Sequence, residues 1–120
     1  MGFTKAEVMA LFEGLMIAEH RKLKEKFMRC RLHREITDTS IVLEIQNGRR
    51  RCKVSVSDTV DLSCWRNERY GLDDYLSSWS SPGYLFEDVL SLSQTIQEIY
   101  FPLLEQPEKS SEDLFPHIWD

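Results

Sequence analysis

Asn47-Gly48 stands between two runs in which apolar and polar residues alternate, Ile41 to Gln46 and Arg51 to Val56. An Asn-Gly pair in that setting marks a β-hairpin, because a two-residue primed turn needs the positive φ that asparagine and glycine adopt at little cost. A turn centred on this pair sets Gln46 opposite Arg49, and hence Glu44 opposite Arg51, Leu43 opposite Cys52 and Ile41 opposite Val54. Apolar then meets apolar on one face, and an acid meets a base on the other. A slip of one residue would place Arg51 and Lys53 among the apolar side chains. The middle of the chain is therefore committed to antiparallel sheet with one buried and one open face.

The flanking segments extend this plan. Upstream, Met28, Cys30 and Leu32 alternate with Arg29, Arg31 and His33, which predicts a further strand. Downstream, Val60, Leu62 and Cys64 predict a fourth. From Trp65 to Ser81 the chain reads as a loop with one helical turn at Leu72-Asp73-Asp74-Tyr75-Leu76. Near the start, Thr4-Lys5-Ala6-Glu7 has the spacing of a capping box. Val8, Leu11, Phe12, Leu15, Met16, Leu23 and Phe27 follow at helical intervals, predicting a helix over 4–26 whose charged residues 19–26 project into solvent. Gly14 is the position where that helix is weakest. Ser81-Pro82 predicts the start of a second helix, with Ser81 as cap and Pro82 in the first turn. Its stripe is Leu85, Val89, Leu92, Ile96, Ile99 and Leu103, and Pro102 ends it near Phe101. The expected fold class is α+β: an N-terminal helix, an antiparallel meander of three to four strands, and a C-terminal helix, in two layers with the helices on one sheet face. Residues 1–104 form a single domain in this reading, and residues 105–120 an acidic, aromatic C-terminal tail.

Composition supports one core. Of 120 residues, 42% are hydrophobic, which excludes a disordered chain. No apolar run approaches the roughly 18–20 residues that span a bilayer, so no membrane partner is expected. The start, Met1-Gly2-Phe3-Thr4-Lys5-Ala6, carries neither a secretory apolar region nor the Ser or Thr at position 6 of a myristoylation signal. Three cysteines without metal spacing point to free thiols in a reducing, intracellular compartment, cytoplasmic or nuclear. The net charge of −5 conceals segregation. Residues 21–53 hold eleven Lys and Arg against four acids, whereas residues 54–120 hold three against thirteen acids. Blocks of this kind set up a local field that speaks to association.

No pattern carries catalysis. Cys30 and Cys52 fall on the apolar side of their strands and read as core. Cys64 beside Trp65 is the one candidate thiol, without a base at a fixed offset. His20, His33 and His117 are scattered, and the pairs Asp73-Asp74 and Glu87-Asp88 diverge by about 100° on a helix, so no metal, cofactor or acid–base pair is expected. Arg49-Arg50-Arg51 at the hairpin tip, with Lys53, is the candidate for phosphate contact. The protein is acidic overall, however, and the basic face lacks interleaved aromatics for base stacking. The order helix–strands–helix is shared by double-stranded-RNA-binding domains. Those have a Lys-rich start to the second helix, where this chain has Tyr84-Leu85-Phe86-Glu87-Asp88.

Trp79-Ser80-Ser81-Pro82, followed by Val89-Leu90 and Gln94, is similar to the tryptophan–proline start of a helix in ubiquitin-conjugating enzymes. Thr59-Val60-Asp61-Leu62-Ser63 is similar to their active-site strand, with Asp61 where the catalytic cysteine stands and Cys64 offset by three. The proline-rich segment before that site is missing. Over residues 20–104 the plan resembles the RWD domains, non-catalytic relatives of those enzymes, and most of all the small ones of kinetochore subunits. The resemblance implies a binding module that dimerises or docks on a larger assembly.

The expected function is thus a non-enzymatic protein–protein interaction module, an adaptor or complex subunit, capable of homodimerising. The expected contacts are Arg29, Arg31, Arg49, Arg51 and Lys53 on a basic sheet face opposed only by Glu44. Phe115, Ile118 and Trp119 are the expected apolar anchors in the tail. The partner surface is acidic or apolar protein. Nucleic acid bound by the 49–53 ribbon is the alternative, and a cysteine-dependent enzyme the third reading.

Overall fold

A computed structural model describes residues 1–67 and 73–105, of which 66, 67, 73–79 and 82 are described by backbone alone. The first helix, α1 (Lys5–Lys26), starts on the expected capping box. The Thr4 hydroxyl accepts from the Glu7 amide at 3.1 Å, and the Glu7 carboxylate accepts from the Thr4 amide at 2.8 Å. It runs unbroken through Gly14. Five strands follow: β1 (Arg31–Ile36), β2 (Ile41–Asn47), β3 (Arg50–Val56), β4 (Thr59–Asn67) and β5 (Asp73–Pro82). Each pairs antiparallel with its neighbour in sequence, so the sheet is a simple meander in the order β1-β2-β3-β4-β5. The described residues close with α2 (Phe86–Thr95), a π-helical turn at Ile96–Tyr100, and α3 (Phe101–Leu104). The fold is α+β, as expected.

Alternation decides the layers. Ile41, Leu43, Ile45, Cys52, Val54, Val56, Val60, Leu62 and Cys64 are fully buried on one sheet face. Val8, Phe12, Met16 and Leu23 of α1, with Val89, Leu92, Ile96, Tyr100 and Leu104, complete that core. Each such large aliphatic or aromatic side chain contributes about 1.5–3 kcal/mol on burial. Among the described residues no helix lies on the other face.

Several expectations are corrected. The strand before the hairpin begins at Arg31, because Met28 and Arg29 form the turn leaving α1, where Met28 is 85% exposed. The hairpin turns one residue further along, at Gly48-Arg49, which shifts the pairing by two, with Asn47 opposite Arg50, Ile45 opposite Cys52 and Leu43 opposite Val54. Gly48 takes the first turn position at φ 61, and no non-glycine residue among those described has positive φ. A turn needing positive φ only at its first central residue leaves Asn47 free to extend the strand. The shift is even, so every side chain keeps its expected face.

Of the stretch read as loop after Trp65, Arg66 and Asn67 end β4 and Asp73 to Ser81 belong to β5, while residues 68–72 lie outside the described residues. The helical turn expected at 72–76 is strand from Asp73 on, and Leu72 lies outside the described residues. Ser81 and Pro82 close β5, with Ser81 buried opposite Val60, and proline is tolerated because β5 is a sheet edge. The helix therefore starts at Phe86, with Leu85 at its N-cap and no side-chain cap.

Pro102 does not end the helix. It lacks an amide and crowds the carbonyl four residues back. The π-helical turn relieves this, with the Phe101 amide bonding the Ile96 carbonyl five residues back. The wider turn also rotates the buried stripe. Tyr100 and Leu104 face the core where Ile99 and Leu103 were expected, and Ile99 is 52% exposed.

Three contacts tie the two ends of the described residues to this frame. The Asn47 side-chain amide donates to the Leu104 carbonyl at 2.7 Å. The Phe3 amide donates to the Tyr84 carbonyl at 2.8 Å, and a β-bridge joins Gly2 to Leu85. A Cβ on Gly2 would lie 2.7 Å from the Tyr84 oxygen, so only glycine permits this approach.

Candidate functional site

The uncovered face of the sheet is organised as three rows across the strands. Arg31, Gln46, Arg51 and Trp65 form the first, nearest the hairpin tip. His33, Glu44, Lys53 and Ser63 form the second, and Glu35, Val42, Ser55 and Asp61 the third. The meander brings Arg31, Arg51 and Lys53 together on one face, as the alternation requires.

It does not bring all the expected residues there. Arg29 lies in the turn before β1, and Arg49 in the hairpin turn itself. Arg50 starts β3 on the helix side, with its Nε buried and making no hydrogen bond among the described residues. The three consecutive arginines therefore do not form one patch. Phe115, Ile118 and Trp119 lie outside the described residues.

The face is also not opposed by Glu44 alone. Glu35 and Asp61 share it, so among the described side chains three cations, Arg31, Arg51 and Lys53, meet three carboxylates. Both were missed because the reading ended the first strand at His33 and left the fourth unpaired. The charges are sorted along the strands: cationic toward the hairpin tip, anionic at the far end. In the middle, Arg51 Nη1 lies 3.6 Å from Glu44 Oε2, and its Nη2 donates to Gln46 Oε1 at 3.4 Å. His33 Nε2 lies 2.9 Å from Glu35 Oε1. Arg31 and Lys53 make no ion pair among the described residues. Arg31, Leu32, His33, Glu44 and Gln46 line a shallow cleft of about 410 Å³ at the β1–β2 edge of this face.

The other chemical candidates are buried or dispersed. Cys52 and Cys64 stand directly opposite each other on β3 and β4, inside the core and unbonded. Burial pushes the Cys64 thiol up to about 11, against a weaker downward pull from Arg50. Burial also pushes Cys30 up to about 11, and it raises Cys52 well above the ordinary range. Such thiols hold almost no thiolate, the nucleophilic form, at neutral pH. Asp61 sits on the open face, where its Oδ2 accepts from the Thr59 hydroxyl at 2.8 Å. Among the described residues, no three His, Cys, Asp or Glu side chains converge as a metal site would require, and no helix is long and apolar enough to cross a membrane.

A residue of the helical side escaped the sequence reading as well. Glu19, expected in solvent with residues 19–26, is only 7% exposed, and Leu23 is buried as well. The signal was in the spacing: positions 8, 12, 16, 19 and 23 form one buried stripe, and Glu19 is its single acid. Desolvation raises its pKa, with Glu105 adding to the rise and Lys22 and Lys26 opposing it. Compared with known protein families, with curated proteins and with solved structures, the chain matches none, so its function is argued from this geometry.

Proposed function

We propose that the chain is a non-enzymatic protein-interaction module, an adaptor or subunit of a larger assembly, which holds a partner protein against its open sheet face. The observation that carries the reading is the set Arg31 on β1 and Arg51 and Lys53 on β3, flanking β2 on a face that no described helix covers. Arg31 and Lys53 have no described ion partner within the fold, so an acidic partner surface gains charge pairs there without breaking existing ones. Glu35 and Asp61 at the other end favour basic or neutral partner residues, which fixes the partner's orientation. The resemblance to RWD domains supports a docking role, and the three free thiols support a reducing, intracellular setting.

The test is the charge reversal Arg31/Arg51/Lys53→Glu, checked for intact fold by circular dichroism. Proteins retained from native lysate by the wild type should fall at least tenfold with this variant, and retention should weaken with salt. Unchanged retention would remove the sheet face from the argument. Loss of retention after nuclease treatment would transfer the site to nucleic acid. Light scattering on the purified chain decides whether a second copy is the partner.

A further inference from the structure

Between α1 and the C-terminal helices lies a second cleft, of about 300 Å³, on the helical side of the molecule and independent of the sheet face. Leu15, Ala18, Phe101 and Pro102 give it apolar walls, and Glu19, Lys22 and Glu105 its charges. Lys22 is committed to Glu105, with Nζ 2.9 Å from Oε1. Glu19 is left over. It lines the cleft at 7% exposure, and its enclosed Oε2 makes no hydrogen bond among the described residues. A buried carboxylate oxygen without a donor is costly to a fold, and groups of this kind concentrate where a ligand supplies the missing partner.

We propose that this cleft binds a primary ammonium group carried on an alkyl stem, with Glu19 as its counter-ion. The stem lies along Leu15, Phe101 and Pro102. Rotation of the Glu19 carboxyl about its last bond, a soft torsion, turns Oε2 toward the incoming donor. A compact ammonium suits one orphaned oxygen better than a guanidinium, whose planar fork is matched to two. The cleft carries one net negative charge when both glutamates are ionised, and a bound ammonium neutralises it. The upward shift of the Glu19 pKa by burial is reversed on binding, because a neighbouring cation favours the ionised form.

The experiment is a nuclear magnetic resonance titration of the full chain with n-butylammonium chloride. n-Butanol at equal concentration and sodium chloride at equal ionic strength are the controls. Saturable shifts are expected at the Leu15 and Ala18 methyls and the Gln97 side-chain amide, with the Glu19 carboxyl carbon moving toward its ionised value. Glu19→Gln should weaken binding at least tenfold, and Ala18→Leu, which narrows the cleft and keeps Glu19, should weaken it too. A parallel titration with acetyl-Gly-Lys-Gly-amide identifies the source. Saturation by the peptide assigns the cleft to a lysine side chain of a partner protein, and saturation by the free amine alone assigns it to a small amine. Shifts that do not saturate with either, equal shifts with n-butanol, or binding unchanged in Glu19→Gln would overturn the proposal.

Discussion

The Asn47 side chain fastens the tip of the central hairpin to the end of the C-terminal helix, donating to the Leu104 carbonyl across 2.7 Å in the protein interior. Helix ends leave carbonyls without intrahelical partners, and a side-chain donor from the sheet satisfies this one. Asn47→Ala removes the donor and leaves that carbonyl buried. A loss of about 1–3 kcal/mol in urea unfolding is expected. Asn47→Asp should cost at least as much, since its carboxylate would face the carbonyl.

Gly2 lies against the backbone of Tyr84, which a Cβ would approach to 2.7 Å. Gly2→Ala should therefore release Met1–Phe3 from Tyr84–Phe86, including the ring contact of Phe3 with Phe86 at 4.5 Å. Hydrogen exchange at the Phe3 amide should accelerate, while the amides in the middle of α1, held by their own helix, stay protected.

Glu19 makes stability depend on pH. Its folded pKa is raised above the ordinary 4.5 by desolvation first, with Lys22 and Lys26 of α1 opposing and Glu105 beyond α3 adding. The Cys52 thiol facing from β3 stays protonated. A folded acid with a raised pKa binds its proton more tightly than the unfolded chain does. Its contribution is fully present below 4.5 and disappears as pH climbs through the folded value. Wild-type stability relative to Glu19→Gln should thus fall as pH climbs from the ordinary 4.5 through the raised folded value, and then level off. Parallel curves for the two proteins would contradict this.

The three thiols should resist alkylation. With Cys30 and Cys64 pushed up to about 11, roughly one thiol in 10⁴ is ionised at pH 7. Mass spectrometry after brief N-ethylmaleimide treatment should show unmodified native protein, and three additions in denaturant.

The legible parts of this fold were those fixed by local chemistry. The capping box at Thr4 and Glu7 sets the start of α1 to the residue, since both bonds form within one turn. The faces of β2 and β3 follow from alternation alone, although the turn sits one residue further on than Asn47-Gly48 suggests. What escaped depended on distant partners. β5 is rich in serine, and its strand character comes from pairing with β4. The burial of Tyr100 in place of Ile99 follows from a π-helical turn that Pro102 makes necessary. On the open face, Arg31, Arg51 and Lys53 were legible from period two, whereas Asp61 joined them only once β4 had a register. Glu19 was visible only as an acid in an apolar stripe, and its cleft needed α3 in place.

The sequential order of the sheet also sets how the molecule assembles. The three connections that link β1, β2, β3 and β4 are two to four residues long, closures that form within microseconds. The Asn47–Leu104 bond spans 57 positions and can close only after the terminal helix has arrived. The sheet can therefore zip hairpin by hairpin while its apolar side is still bare, and helix docking comes last. Changes at that late seam should speed unfolding and leave the folding rate nearly untouched.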